Sequence, residues 1–189
     1  MISNKLFNTF ANRGMALEDD INITNKYYLD NDIAVIHKKP TPIRVTKVSY
    51  PSRQCTLIKE AYYEKPSTTD YNGIYKGMYI DFDAKEVKAN KSFPISNIHA
   101  HQIEHLKKIK YHGGISFIIV KFYFNNTTYL LETDKLLSFI EDEERKSIPI
   151  EYFEKYGHKV KESYSPRIDY LKVINELYFN KEVSYEKKA

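Results

Sequence analysis

Asp70, Asp83 and Lys85 are the residues of this chain whose types and spacing best suit chemistry. Asp70 stands beside turn-forming residues, and Asp83-Ala84-Lys85 closes an alternating segment further on. There Tyr79, Asp81, Asp83 and Lys85 alternate with Ile80, Phe82 and Ala84. Side chains on a strand point to opposite faces in turn. Two carboxylates and a lysine therefore share one face, and the apolar residues share the other. Acids so placed hold a divalent cation, and a lysine beside them meets a scissile phosphate. The chemistry is metal-dependent phosphodiester hydrolysis. The spacing fits the pattern PD-(D/E)-x-K loosely, and the alternative is a solvated strand face carrying an Asp–Lys pair.

A helix predicted over about 97–110 supplies a further polar group. Ile98, Gln102, Leu106 and Ile109 recur on one helical face. Gln102 is the polar member of that apolar stripe, and a buried amide left unpaired costs roughly 1–3 kcal/mol. It either serves a metal centre or caps a neighbouring backbone group. Thr68 and Thr69 could add a hydroxyl or carbonyl oxygen, and such hard oxygen donors suit Mg²⁺. His99, His101 and His105 are read as a solvated face, with metal binding as the alternative.

The elements that must position these residues form an α/β pattern. A helix is expected from Met15 to Tyr28, with Glu18, Asp19 and Asp20 suiting its dipole, and a short buried strand over Ile33–His37. Pro40 and Pro42 end that strand. Ile43–Tyr50 and Cys55–Tyr63 read as extended or irregular, either a hairpin or partly helical. Gly73 and Gly77 mark turning strands that lead into Met78–Val87. A continuous apolar strand over Ile115–Phe124 suits a sheet centre. Thr128–Glu132 reads as a strand, Lys135–Asp142 as a helix and Arg167–Phe179 as a last helix. Residues 143–165 are polar and carry no clear period.

The chain has 189 residues, 42% hydrophobic and 29% charged, enough to bury one core. The organisation expected is a flexible lead-in over 1–12, one domain over 13–179 and a mobile tail over 180–189. Between His37 and Lys65 seven Lys and Arg face two Glu, a net charge of +5 within a total of +4. One basic segment on a near-neutral body is the footprint of a polyanion contact. No apolar run approaches the roughly 18–20 residues of a membrane span. With no leader pattern and Cys55 as the single cysteine, a cytoplasmic protein without disulfides is expected. GxxxxGK[ST], GxGxxG and Gly-x-Ser-x-Gly are absent, so ATP use and acyl transfer are unsupported.

Several runs together resemble the RecU family of Holliday junction resolvases. They are Asn12-Arg-Gly-Met15, Leu17-Glu-Asp-Asp20, His37-Lys-Lys-Pro-Thr-Pro42, Ser67 to Gly77, Ile80-Asp-Phe82, Ala84-Lys-Glu86, His101-Gln-Ile-Glu-His105 and Pro166-Arg-Ile-Asp-Tyr170. The resemblance runs from about residue 12 to 179. It implies a restriction-endonuclease-like fold, with a mixed central sheet flanked by helices and a basic stalk at about 38–65. It also implies a Mg²⁺-dependent homodimer, Mn²⁺ being able to substitute, that nicks four-way junction DNA symmetrically and leaves 5′-phosphate ends. Carried over by motif, Thr68, Asp70, Asp83 and Gln102 would hold the metal. Asp70, Asp83 and Lys85 would be catalytic, and Lys38 and Arg53 would contact DNA. The RecA recombinase is an implied further partner. A module that binds branched DNA and modulates RecA without cutting is the alternative. Asp83 departs from the family's usual Glu and is one methylene shorter.

Overall fold

The computed structural model describes residues 15–53, 55–63, 68–88, 91–142 and 145–180. The expected lead-in over 1–12 lies outside them, as does the expected tail beyond Asn180. The sheet is organised around β7 (Ile115–Phe122), every residue of which is buried. Beside it lie β5 (Met78–Val87), β4 (Tyr71–Tyr75) and β1 (Val35–Lys38) on one side, and β8 (Thr127–Glu132) and β10 (His158–Lys159) on the other. The order is β1-β4-β5-β7-β8-β10, with β5 and β7 parallel and the remaining pairs antiparallel. A parallel pair needs a crossover, and α2 (Ala100–Tyr111) supplies it. That crossover lays α2 against β5 and β7.

Alternation divides the core between the two faces of the sheet. Ile80, Phe82, Ala84, Phe117 and Ile119 pack with Leu17, Ile21 and Tyr28 of α1 (Met15–Asp30), and with Tyr170, Leu171 and Ile174 of α5 (Tyr170–Tyr178). Ile118 and Val120 join Leu106 of α2 on the other face. Leu136 and Phe139 of α3 (Thr133–Asp142) and Phe153 of α4 (Ile150–Tyr156) complete that cluster. Phe82 is fully buried, with its ring 4.9 Å from Tyr71 and 4.8 Å from Phe117. It holds β5 against its neighbours at the point where the acids emerge on the opposite face.

The mixed α/β architecture expected from the sequence is therefore present. Lys76 and Gly77 both have positive φ, as a two-residue turn between twisted antiparallel strands requires. Gly73 is needed for another reason. A Cβ there would lie 2.1 Å from the Val35 carbonyl oxygen, so β4 and β1 approach too closely for a side chain.

Several expectations need correction. The strand expected to be buried over Ile33–His37 is the edge strand β1, in which Ile36 alone is buried. The helix expected from about Asn97 begins at Ala100, because Ile95–Asn97 form a 3-10 turn. The last helix begins at Tyr170, after an irregular approach past Arg167. Residues 147–159 hold β9 (Ser147–Pro149), α4 and β10, with β9 pairing β6 (Ser92–Pro94).

The basic insertion is a two-stranded antiparallel hairpin, which resolves the open reading of that stretch. β2 (Ile43–Ser52) pairs β3 (Cys55–Tyr63) with register shifts along its length. Every residue of β3 is exposed, so the hairpin stands clear of the body. At about 3.4 Å per residue the strand β2 extends for roughly 30 Å.

Candidate active site

On the odd-numbered face of β5, α2 covers the middle of the strand, while Tyr79 remains exposed and Lys85 partly so. Asp81 and Asp83 are both fully buried beneath the helix. A carboxylate withdrawn from water needs partners, and each acid has its own set.

Asp83 accepts a hydrogen bond at Oδ1 from Gln102 Nε2, at 3.2 Å. Lys85 Nζ lies 2.6 Å from Asp83 Oδ2 and 3.7 Å from Asp70 Oδ2. The Lys85 ammonium is thus the near partner of the buried Asp83 Oδ2. Asp70 precedes β4, and its Oδ2 accepts from the Ala84 backbone N–H at 3.1 Å. Asp70, Asp83 and Lys85, separated in sequence, thus converge on one point. Burial, followed by the neighbouring Asp70, pushes the Asp83 carboxyl up to about 8, although Lys85 opposes the shift. Burial would lower the Lys85 ammonium, but the Asp83 and Asp70 carboxylates outweigh it and raise it. The direction that holds for the metal-free pair is upward for Asp83, because a buried carboxyl beside a second acid resists ionisation.

A divalent cation fits this donor set. The Asp70 and Asp83 carboxylates are hard oxygen donors of the kind Mg²⁺ takes, whereas Thr68 is exposed and its hydroxyl accepts from Lys39, with no hydrogen bond joining it to either acid. Two carboxylates leave room for the several waters that Mg²⁺ retains. Gln102 is placed where the sequence put it, buried at the site. Its oxygen accepts from the His99 backbone N–H at 3.0 Å, however, and so caps α2 while its nitrogen serves Asp83. The capping reading is the one the structure supports, while the expected role of Gln102 as a metal ligand is not seen: its oxygen is committed to the cap, and its nitrogen, a donor, reaches Asp83 instead.

Sequence reasoning missed a second group beside the first. Asp81 Oδ2 accepts from Lys39 Nζ at 2.7 Å and from the Tyr79 hydroxyl at 3.1 Å, and Thr69 donates to Oδ1. His105 Nε2 lies 3.1 Å from Asp81 Oδ2 and is assigned the N–H there. His105 is therefore turned inward, contrary to the solvated face expected of the histidines. The available signal was helical spacing, since His105 follows Gln102 by three residues on the covered side of α2.

Lys38 and Arg53 lie at opposite ends of the hairpin. Lys38 closes β1 and pairs with Glu18 of α1. Arg53 sits exposed in the turn between β2 and β3. Among the described residues Arg44, Arg53 and Lys59 have no carboxylate partner, whereas Lys47 pairs with Glu60. The unpaired charge is thus carried by the projecting part of the basic segment. An open cleft of about 770 Å³, with Glu18, Lys85 and His99 on its walls, leads from solvent to Lys85.

Comparison with known proteins places this geometry in context. The family model described as "Recombination protein U" matches residues 12–176. A protein of Bacillus subtilis (strain 168) called Holliday junction resolvase RecU is 52% identical over 181 residues, covering 94% of this chain and 87% of its own. A protein of the same name from Geobacillus sp. (strain WCH70) is 51% identical over 174 residues, covering 90% and 87%. Among solved structures, the Holliday junction resolvase Hjc of Archaeoglobus fulgidus covers 77% of this chain and 95% of its own, with a TM-score of 0.44 and 13% identity.

Proposed function

The chain belongs to the RecU family, and on that premise we propose that it is a Holliday junction resolvase, a nuclease acting on four-way DNA junctions in homologous recombination. The fold that goes with this reading is restriction-endonuclease-like. The observation that carries the reading is the convergence of Asp70 and Lys85 on the buried Asp83, with an open cleft leading from solvent to Lys85.

The finer reading is a Mg²⁺-dependent endonuclease that leaves 5′-phosphate ends, with Mn²⁺ able to substitute. Thr68, Asp70 and Asp83 would hold the cation, with Gln102 orienting Asp83 from above. When bound, the cation supplies Lewis-acid stabilisation of the charge that builds on the scissile phosphate. Lys85 contributes a second positive charge beside the carboxylates, aimed at the same phosphate. Asp70 ties the turn before β4 to the β5 backbone through the Ala84 N–H, which keeps the two carboxylates in register. α2 covers the acids and excludes bulk water, which strengthens each of these interactions.

Junction choice is assigned to shape. Phosphate contacts position a protein without reading sequence, and the projecting hairpin brings Arg44, Arg53 and Lys59 to such contacts. A symmetric dimer is proposed, because two strands must be cut. Exposed Ile43, Val45, Leu57 and Ile58 on the hairpin support it, since apolar groups of this kind favour cover by another surface. RecA is kept as a proposed partner and the cytoplasm as the proposed location. Among the described residues no helix is long and apolar enough to cross a membrane.

The test is incubation with a labelled, immobile four-way junction and with linear duplex, in Mg²⁺, Mn²⁺ or EDTA. Paired symmetric nicks in the junction that require metal are expected. Tight binding without nicks under either metal would replace this reading with the non-cleaving, RecA-modulating module. Equal cutting of duplex would make the chain a less selective nuclease.

A further inference from the structure

Lys39 lies just before β2 and Thr68 is the first described residue after β3, so the two flank the hairpin in sequence across a short gap in space. Lys39 Nζ spans that gap. It donates to Thr68 Oγ1 at 3.1 Å, to Thr69 Oγ1 at 2.6 Å and to Asp81 Oδ2 at 2.7 Å. An ammonium has three protons, and each has an acceptor. The Lys39 backbone N–H also donates to the Asp70 carbonyl oxygen at 2.8 Å. One residue therefore grips Thr68, Thr69 and Asp70 in succession and anchors all three to Asp81. Asp81 is itself fixed by Thr69, Tyr79 and His105.

The gripped segment carries two of the proposed metal ligands, Thr68 and Asp70. It is also the first described segment after the hairpin. We propose that Lys39 is a positioning residue that locks the base of the hairpin to the metal cradle, so that metal occupancy and hairpin orientation are coupled. The inference rests on the resolvase reading for the identity of the cradle. By linkage, whatever orders the cradle also orders the hairpin, and the converse holds with the same factor. A junction seated on the hairpin would thereby favour a metal-ready cradle.

A plain counter-charge would behave differently. If Lys39 merely neutralised Asp81, its removal would leave one more bare carboxylate near the cation, and the metal would bind more tightly. If Lys39 positions the segment, its removal must weaken binding.

The test uses the full chain without DNA, with a fluorophore on Cys55, the single cysteine, which is exposed at the start of β3. Mg²⁺ is titrated by calorimetry, and the anisotropy decay of the dye reports hairpin mobility. In the wild-type chain Mg²⁺ should slow the dye's motion. Lys39→Met should weaken Mg²⁺ binding by about 10- to 100-fold, the range usual for loss of a group that orients metal ligands. It should also free the dye and abolish its response to Mg²⁺, and Lys39→Arg should recover part of both effects. Unchanged or tighter Mg²⁺ binding in a folded variant, or an unaltered dye, would overturn the proposal. If Lys39→Met does not fold, Thr69→Val keeps the side-chain shape while removing one acceptor, and must move both readouts in the same direction. Junction nicking by the wild-type chain is scored separately. A chain that nicks normally but shows no Lys39 effect loses the clasp and keeps the resolvase reading. One that never nicks yet shows the effect keeps the clasp and loses the reading.

Discussion

Lys85 Nζ lies 2.6 Å from Asp83 Oδ2, two residues away on the same strand, and the Asp83 carboxylate it touches is fully buried. The pair is held together by opposite charge in a space withdrawn from water.

Lys85→Met should abolish junction nicking and leave junction binding close to wild type. Removing one preorganised charge-stabilising group from an active site costs about 10²- to 10³-fold in rate. Asp70→Asn should act alike, because it weakens the metal cradle while keeping the side-chain shape. Single-turnover nicking and gel-shift binding, measured together, check this. Parallel loss of nicking and binding would instead indicate misfolding.

The Asp83 carboxyl also gives the metal-free protein a pH dependence. Its folded-state value, pushed up to about 8, lies above its ordinary value of 3.8. The folded state therefore binds more protons than the unfolded chain between those limits, so this group's contribution to stability is present at low pH and is lost as pH rises through about 8. Thermal melts in EDTA should fall across that window more steeply for wild type than for Asp83→Asn. Mg²⁺ affinity should rise over the same window, because metal competes with the proton.

Arg53→Ala should weaken junction binding without changing thermal stability, since Arg53 is exposed at the hairpin turn and no carboxylate among the described residues pairs with it. If it contacts a phosphate, the slope of log affinity against log salt should fall by about one. Lys38→Ala should weaken binding and also release Glu18. A solvent-exposed ion pair of this kind is worth at most about 1 kcal/mol, so the melt should shift little. Fluorescence anisotropy across a salt series separates the two substitutions.

Gly73→Ala should destabilise the fold and disable the site together. The added methyl group would meet backbone, the Val35 carbonyl oxygen at 2.1 Å, so no rotamer relieves it. Overpacking of this kind costs about 1–3 kcal/mol. β1 would be driven from β4, and β1 ends at Lys38 beside the Lys39 clasp. Denaturant melts should report the loss of stability, and Mg²⁺ calorimetry at a temperature where the variant remains folded should report the loosened cradle.

Much of this protein could be read along the chain alone. The bounds of β5, the apolar centre at β7 and the shared face of Asp81, Asp83 and Lys85 follow from period-two alternation, which is a local property of a strand. The stripe carrying Gln102 follows in the same way from helical spacing. Residue order also carried the family, through motifs that recur in sequence. Tertiary structure decided what those faces meet. The β5–α2–β7 crossover lays α2 over the acids, which settled that Asp81 and Asp83 are buried and drew His105, expected on a solvated face, inward to Asp81. The same closure brought Lys39 to Thr68, Thr69 and Asp81, partners 29 to 42 residues away that no periodicity links. Periodicity places a side chain on a face. Only the packing of distant segments sets which charges share a low-dielectric space, and there each must find a partner or give up its charge.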